Sequence, residues 1–340
     1  MVRVFIITGG TGGHIFPAIE VKKYLDKLNI KTYLGVSTKN KNIFNINFDF
    51  TFESAPFKGQ GFKNIIKNLT KIIKGTITAF IYMIDKKPDA VFIFGSFASF
   101  PFFIPSLILK KKIFVFEQNS IPGLVTRIFS KFSKKIFVSF KETEKFLKKK
   151  CIFLGNPVRD INLLSKKETL SKLGIPSGNR TILFMGGSQG AKKLIEIAHE
   201  YSKIKEDNVI VLAGKFYDEF KEKFKNKNFF IFPFREDIES FYSVADIVVS
   251  RAGAGAVFEL LKIKKKAILI PFPYATSNHQ YFNALFAKKM GTFRIILEKG
   301  LTPEKLLKEI DKLYKEKEKN TPLPDWKKIL KKEILECFSY

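Results

Sequence analysis

At 340 residues, 45% of them hydrophobic and 27% charged, the chain is too long for one ordinary doubly wound domain and has enough apolar material for two. Sixty basic residues against 32 acidic ones leave a formal charge of +28, which suits nucleic acid, a membrane surface or an acidic substrate, or a lysine-rich composition with no anionic partner. Cys151 and Cys337 stand far apart with no CxxC pair, which argues against a zinc cluster or redox motif and fits a reducing compartment.

Met1 leads straight into a strand-like run over residues 2–8, so no signal peptide is expected. Further strands are predicted at 90–95, 113–117 and 135–139, then at 181–186, 208–214, 229–233, 246–250 and 267–271. All are continuous, apolar and rich in β-branched residues, as strands covered on both faces are. Helical patterns lie between them. After His14, for example, Ala18, Val21, Leu25 and Leu28 recur at helical spacing. Alternating strands and helices predict parallel sheets joined by right-handed crossovers. The apolar stretch 97–109 carries Pro101 and Pro105 and is shorter than the roughly 20 residues a spanning helix needs, so a soluble or peripheral cytoplasmic protein is expected. The series restarts after Asn156-Pro157. Residues 163–178 read as a polar linker with a short helix, and a second strand–glycine–helix unit begins at Thr181.

Three glycine-rich turns follow strands directly: Gly9-Gly10-Thr11-Gly12-Gly13-His14, Gly186-Gly187-Ser188-Gln189-Gly190, and Ser250-Arg251-Ala252-Gly253-Ala254-Gly255. Such turns bring backbone N–H groups and a helix N-terminus close to an anion, at the strand ends where open α/β sheets bind ligands. Each alone is equally a tight strand–helix packing turn. Three in one chain, shared between two halves, predict one diphosphate in a cleft between lobes. The first turn departs from the G-x-G-x-x-G spacing, and residues 31–37 hold no acid for a ribose, which disfavours a dinucleotide site. No Gly-Lys-Ser/Thr follows, so it is not a Walker loop either.

Taken together these motifs resemble the MurG family of N-acetylglucosaminyltransferases, which convert the first lipid-linked peptidoglycan precursor into the second. The resemblance is carried by Gly9–His14 with Pro17-Ala18, Glu117-Gln118-Asn119 with Pro122-Gly123 and Arg127, and Gly155-Asn156-Pro157-Val158-Arg159. Farther on it is carried by residues 186–191, by 250–254 with Glu259, and by His279-Gln280 with Asn283-Ala284. Phe116, Gly255-Ala256 and Arg235 depart from the family pattern, and 95–99 is a degraded form of its second glycine loop.

The resemblance implies an α/β GT-B fold: two Rossmann-like doubly wound parallel-sheet domains facing an interlobe cleft. The expected domains are 1–157 for acceptor and membrane, and 158–324 for UDP-GlcNAc, with 325–340 a helix returning to the first. It implies inverting transfer of GlcNAc from UDP-GlcNAc to the MurNAc 4-hydroxyl of undecaprenyl-diphosphate-linked muramyl pentapeptide, at the cytoplasmic face of the inner membrane. Another GT-B enzyme, such as a lipid glycosyltransferase or UDP-GlcNAc epimerase, or a non-catalytic UDP-sugar scaffold, would share many of these motifs. No Asp-x-Asp motif is present, which fits a site that uses neither metal nor cofactor.

His14, one of three histidines, is expected at a helix N-terminus, whose positive end favours a neutral catalytic base; a positioning role is the other reading. Thr11, Gly12 and Gly13 beside it, and Ala254, Gly255, Ala256, Val257 and Phe258 on the third turn, are expected against the donor. By resemblance Glu259 holds the donor ribose hydroxyls, and His279 occupies a donor-binding position that is often Gln. Gln280 and Asn283, at i and i+3, can read sugar hydroxyls. Ser188 can donate to a phosphate oxygen, Arg159 suits a diphosphate, and Asn119 follows a strand end. His199, with no motif around it, reads as structural.

Residues 58–87 hold seven lysines and one acid. Lys63, Lys67, Lys71 and Lys74 form one helical stripe, with Ile65, Ile66, Leu69, Ile72 and Ile73 expected opposite. A basic amphipathic helix suits an anionic membrane surface, unless the apolar face packs on the sheet. No nucleic-acid reading motif is present.

Overall fold

Strands whose residues are all apolar need cover on both faces, and that requirement sets the architecture. The computed structural model describes residues 1–40, 46–56, 62–187, 190–224, 226–319 and 321–338. The chain divides into two units, Met1–Val158 with Pro324–Tyr340, and Arg159–Leu323.

The first unit runs β1 (Arg3–Thr8), α1 (Gly12–Lys27), β2 (Lys31–Ser37), β3 (Phe50–Phe52), α2 (Phe62–Lys86), β4 (Ala90–Phe94) and α3 (Phe103–Ile108). It continues with β5 (Lys112–Glu117), α4 (Leu124–Ser130), β6 (Lys135–Val138) and β7 (Ile152–Phe153). The second runs α5 (Lys166–Lys172), β8 (Thr181–Met185), α6 (Lys192–Ile204), β9 (Asn208–Leu212), α7 (Tyr217–Phe220), β10 (Phe229–Phe232) and α8 (Ile238–Val244). β11 (Ile247–Ser250), α9 (Ala254–Lys262), β12 (Ala267–Leu269), α10 (His279–Met290), β13 (Phe293–Ile295) and α11 (Pro303–Lys315) complete it. The last helix, α12 (Trp326–Phe338), belongs to the first unit.

Every strand pair is parallel, in the orders β3-β2-β1-β4-β5-β6-β7 and β10-β9-β8-β11-β12-β13. The nine predicted strands all form. Four more, β2, β3, β7 and β13, were not expected: three have only two or three residues, and the apolar run of β2 is short, broken by Gly35 and flanked by polar residues. In each sheet the chain steps outward to one side and then returns to the other. The reversal falls between β1 and β4 in the first unit and between β8 and β11 in the second, the positions where such sheets open a crevice at their carboxyl ends.

Alternation along β1 divides the first core. Val4 and Ile6 pack with Ala18, Val21 and Leu25 of α1 and with Trp326, Leu330 and Ile334 of α12. Phe5 and Ile7 pack on the other side with Ala79 and Met83 of α2 and Phe129 of α4. Lys135 Nζ to Glu333 Oε2 at 2.5 Å, and Lys112 Nζ to the Cys337 carbonyl at 2.7 Å, tie α12 to the sheet. The approach of α2 depends on Gly75, where a Cβ would stand 2.0 Å from the Glu53 carbonyl oxygen. In the second unit α6 and α11 cover one sheet face, with Leu194, Ala198, Leu306, Ile310 and Leu313 buried. α11 starts on Pro303, and the Thr302 hydroxyl accepts from Lys305 N at 3.2 Å.

Candidate functional sites

At the β1/β4 reversal, α1 begins at Gly12 with Thr11 extended before it, so Gly12, Gly13 and His14 occupy its first turn. His14 Nδ1 lies 3.0 Å from the Phe94 carbonyl at the end of β4. A carbonyl only accepts, so this contact belongs to the tautomer that carries its proton on Nδ1 and leaves Nε2 as acceptor. The Gln118 amide nitrogen, from the loop after β5, lies 2.5 Å from Nδ1 and 3.0 Å from Nε2, so Nδ1 faces both an acceptor and a donor, and the Gln118 Oε1 is buried with no hydrogen-bond partner. Gly95 leaves room for the ring: a Cβ there would stand 3.1 Å from Nδ1, and its φ of +50° lies in the left-handed region.

Sequence reasoning missed Asn40, which holds this loop from outside. Its buried amide accepts from Gly10 N at 2.8 Å and donates to the Gly10 carbonyl at 2.7 Å. Asn119 lies in the β5 loop, but its backbone N–H donates to the Glu117 carboxylate at 3.0 Å. Glu117 is buried and also accepts from Gly123 N and the Thr126 hydroxyl. Burial pushes its carboxyl above the ordinary value, and these donors oppose that shift.

At the β8/β11 reversal, the second and third glycine turns leave adjacent strands. Gly186, Gly187 and Gly190 are described, whereas Ser188 lies outside the described residues. A Cβ built on Gly187, Gly253 or Gly255 would meet no atom within 4 Å, so both loops border open space. α9 starts at Ala254, and its first-turn N–H groups, Gly255 and Ala256 among them, have no partner within the helix. Val257 and Phe258 turn their side chains into the core, Phe258 against Phe286 with ring centroids 5.8 Å apart, so only their backbone can serve a ligand.

Glu259, one turn on, is the centre of charge. The Tyr242 hydroxyl donates to its Oε2 at 2.8 Å, and Arg159 Nε lies 3.6 Å from Oε1. Burial raises the Glu259 carboxyl above the ordinary value, while Arg159 and the Tyr242 hydrogen bond pull it back. Arg159 Nη1 is anchored on the Glu236 carbonyl at 2.9 Å, and Lys262 donates to the Arg159 carbonyl. Gln280 and Asn283 fall on one face of α10, but both make loop contacts. Gln280 Oε1 accepts from Phe272 N at 3.0 Å, and the buried Asn283 amide donates to the Ala252 carbonyl at 3.1 Å. His279 opens α10. Its Nδ1–H donates to the Thr276 carbonyl at 2.8 Å, and burial lowers its pKa, which leaves a neutral ring with Nε2 as acceptor. Distant from these motifs in sequence, His199 stacks on Phe224 at 4.1 Å within the packed interior.

The helix α2 corrects one expectation. Its sheet side is made by Gly75, Ala79 and Met83, with Ile72 and Lys71 half-buried at the flanks. Ile65, Ile66, Leu69, Ile73, Ile77, Ile81 and Ile84 are instead 47–62% exposed. Small residues suffice for the close approach at Gly75, so the large ones point outward. Lys67 and Lys74 therefore lie beside the apolar stripe and not opposite it; the Lys63 side chain lies outside the described residues. Ile104, Leu107 and Ile108 of α3 are exposed as well. Among the described residues no helix is long and apolar enough to cross a membrane.

Residues 4–138 match the glycosyltransferase family 28 N-terminal domain, and residues 181–334 match the family 28 C-terminal domain. The UDP-N-acetylglucosamine–N-acetylmuramyl-(pentapeptide) pyrophosphoryl-undecaprenol N-acetylglucosamine transferase of Sulfurihydrogenibium sp. (strain YO3AOP1) is 34% identical over 319 residues, covering 92% of this chain and 90% of that relative. The transferase of the same name from Aquifex aeolicus is 33% identical, covering 92% of each chain. The crystal structure of Acinetobacter baumannii MurG superposes with a TM-score of 0.70 at 26% identity, over 92% of this chain and 91% of that one. With both family 28 domains present and these relatives matching over nine-tenths of its length, the chain belongs to the MurG family of family 28 glycosyltransferases.

Proposed function

We propose that this chain moves GlcNAc from UDP-GlcNAc to the 4-hydroxyl of MurNAc in an undecaprenyl-diphosphate-linked muramyl pentapeptide, with inversion, during peptidoglycan synthesis. The observation that carries the reading is Glu259 held between Tyr242 and Arg159 beside the open N-terminus of α9. A nucleoside diphosphate needs that pairing: an acceptor pair for a ribose diol and backbone donors for charge. The names borne by relatives that match over nine-tenths of the chain supply the sugar and the acceptor.

In this reading the second unit holds the donor. Glu259 accepts from the ribose hydroxyls, and the α9 backbone from Ala254 to Phe258 faces the donor. Ser188 and Arg159 meet the diphosphate, while Gln280, His279 and Asn283 line the sugar's side. Thr11, Gly12 and Gly13 offer a second helix N-terminus, and Asn119 a further polar contact from the first unit. The acceptor oxygen attacks the anomeric carbon from the face opposite UDP, and its proton passes to His14 Nε2. The C1–O bond breaks with both electrons leaving on UDP, whose new charge is stabilised by N–H donors. In the tautomer that donates from Nδ1 to the Phe94 carbonyl, His14 offers Nε2 to that proton.

The apolar outer face of α2, with Lys67 and Lys74 beside it and Lys63 and Lys71 adding charge along the same helix, is read as the membrane-docking surface. It would hold the protein peripherally on the anionic cytoplasmic face of the inner membrane, where the lipid-linked acceptor resides.

Incubation with UDP-[14C]GlcNAc and the muramyl lipid tests the activity. Label is expected in the lipid fraction, with UDP as co-product and little transfer from UDP-glucose. Release of an epimerised UDP-sugar, or binding without any turnover, would replace this reading with one of its alternatives.

A further inference from the structure

We infer that Tyr242 is a positioning residue for donor binding, fixing the Glu259 carboxylate in the orientation that meets the ribose. The inference rests on the reading of Glu259 given above. Tyr242 lies on α8 and Glu259 on α9, and the phenol is fully buried, with its hydroxyl 2.8 Å from Oε2. A buried tyrosine hydroxyl needs a partner, so one role for this contact is to satisfy the phenol. Its consequence for the carboxylate is larger. A glutamate on a helix surface turns about three side-chain bonds, and ordering it on ligand binding costs conformational entropy. Tyr242 removes that freedom in advance by occupying one acceptor position of Oε2.

The other oxygen is treated differently. Oε1 has the Arg159 guanidinium at 3.6 Å, longer than a direct hydrogen bond. Arg159 is itself held on the Glu236 carbonyl, so it supplies charge without consuming the lone pairs of Oε1. A carboxylate has about four acceptor positions, and this arrangement leaves both oxygens able to receive one hydroxyl of a vicinal diol. The phenol also opposes protonation, because its hydrogen bond is stronger to an ionised carboxylate than to a neutral acid. Burial raises the phenol's own pKa well above the ordinary range, so it stays protonated and able to donate.

The test uses the full-length enzyme in four forms: wild type, Tyr242→Phe, Glu259→Gln and the double variant. Each is assayed with UDP-GlcNAc and with the donor analogue lacking the ribose 2′-hydroxyl. Tyr242→Phe is expected to raise the donor KM about tenfold, the range of a hydrogen bond to a charged group, with kcat changed less than about twofold. In the Glu259→Gln background the same substitution should change KM less than about twofold, since the orientation it preserves no longer serves a carboxylate. With the 2′-deoxy donor its penalty should shrink. An unchanged KM in Tyr242→Phe, or an equal penalty in both backgrounds and with both donors, overturns the positioning role and leaves the phenol a packing residue. If Glu259→Gln alone leaves donor KM untouched, the reading of Glu259 itself fails. Tyr242→Phe removes a single atom, and a thermal melt of each form separates loss of fold from loss of donor affinity.

Discussion

At the β1/β4 reversal the prominent side chain is an imidazole tied to a strand carbonyl; at the β8/β11 reversal it is a carboxylate set between a phenol and a guanidinium. Both stand in the first two turns of a helix that begins just after a strand. The backbone problem is solved the same way twice, by glycines that let a helix start close to a strand end. What differs is the group placed in that helix: one suited to exchanging a proton, one suited to gripping hydroxyls. The outer helices diverge as well. α11 hides Leu306, Ile310 and Leu313 and exposes its charges, whereas α2 exposes seven large aliphatic residues. A helix that only covers a sheet follows the first pattern, and the second is the pattern that the proposed membrane docking would use.

The comparison is broken most directly at His14. His14→Ala is expected to lower kcat by about 10²–10⁴ while donor KM moves less than about threefold. Steady-state kinetics with UDP-GlcNAc varied will read this, and a change confined to donor KM would erase the division of labour between the reversals. Next comes the contrast between helices. Ile310→Ala should cost about 2–5 kcal/mol of stability by urea unfolding, because it empties a packed site. Ile77→Ala should stay within about 0.5 kcal/mol, because that side chain has little to lose.

A smaller effect is expected at the lipid surface. The pair Ile73→Glu with Ile77→Glu should reduce sedimentation with anionic vesicles by about tenfold, at unchanged melting temperature. Lys67→Gln should weaken the same binding by about 1 kcal/mol, and less in high salt. The least is a pH dependence. Burial lifts the Glu259 carboxyl above its ordinary 4.5, and Arg159, Tyr242 and Glu239 are the charged or titrating groups that tune it. Donor binding uses the ionised form, so affinity should hold at higher pH and fall as pH drops through a value above 4.5, by no more than about tenfold per unit. An affinity that is flat across that window would mean the carboxylate is not the ribose acceptor.

Much of this was legible before any coordinates. Strands buried on both faces announce themselves as apolar runs, and glycine turns after strands mark where a sheet can bind an anion. What stayed hidden had no local signature. Asn40 reads as one more polar loop residue, yet it grips both polar atoms of Gly10 across the top of β2. Tyr242 sits among Ile238, Phe241 and Val244 and looks like ordinary core; only the fold puts a carboxylate over its hydroxyl. The short strands β3, β7 and β13 are made by their neighbours more than by their own residues. The outward turn of α2 could not be inferred from periodicity, because an apolar stripe gives the same pattern whether protein or solvent lies beyond it.

The return of α12 to the first unit has a practical outcome for anyone wishing to isolate that half. A fragment ending at residue 158 would leave bare the surface that Trp326, Leu330 and Ile334 cover, and would strand Lys112 and Lys135 without their acceptors. Excision of residues 159–323 with a short graft joining the flanking pieces keeps that lid in place, so the first unit is better obtained by deletion from within than by truncation from the end.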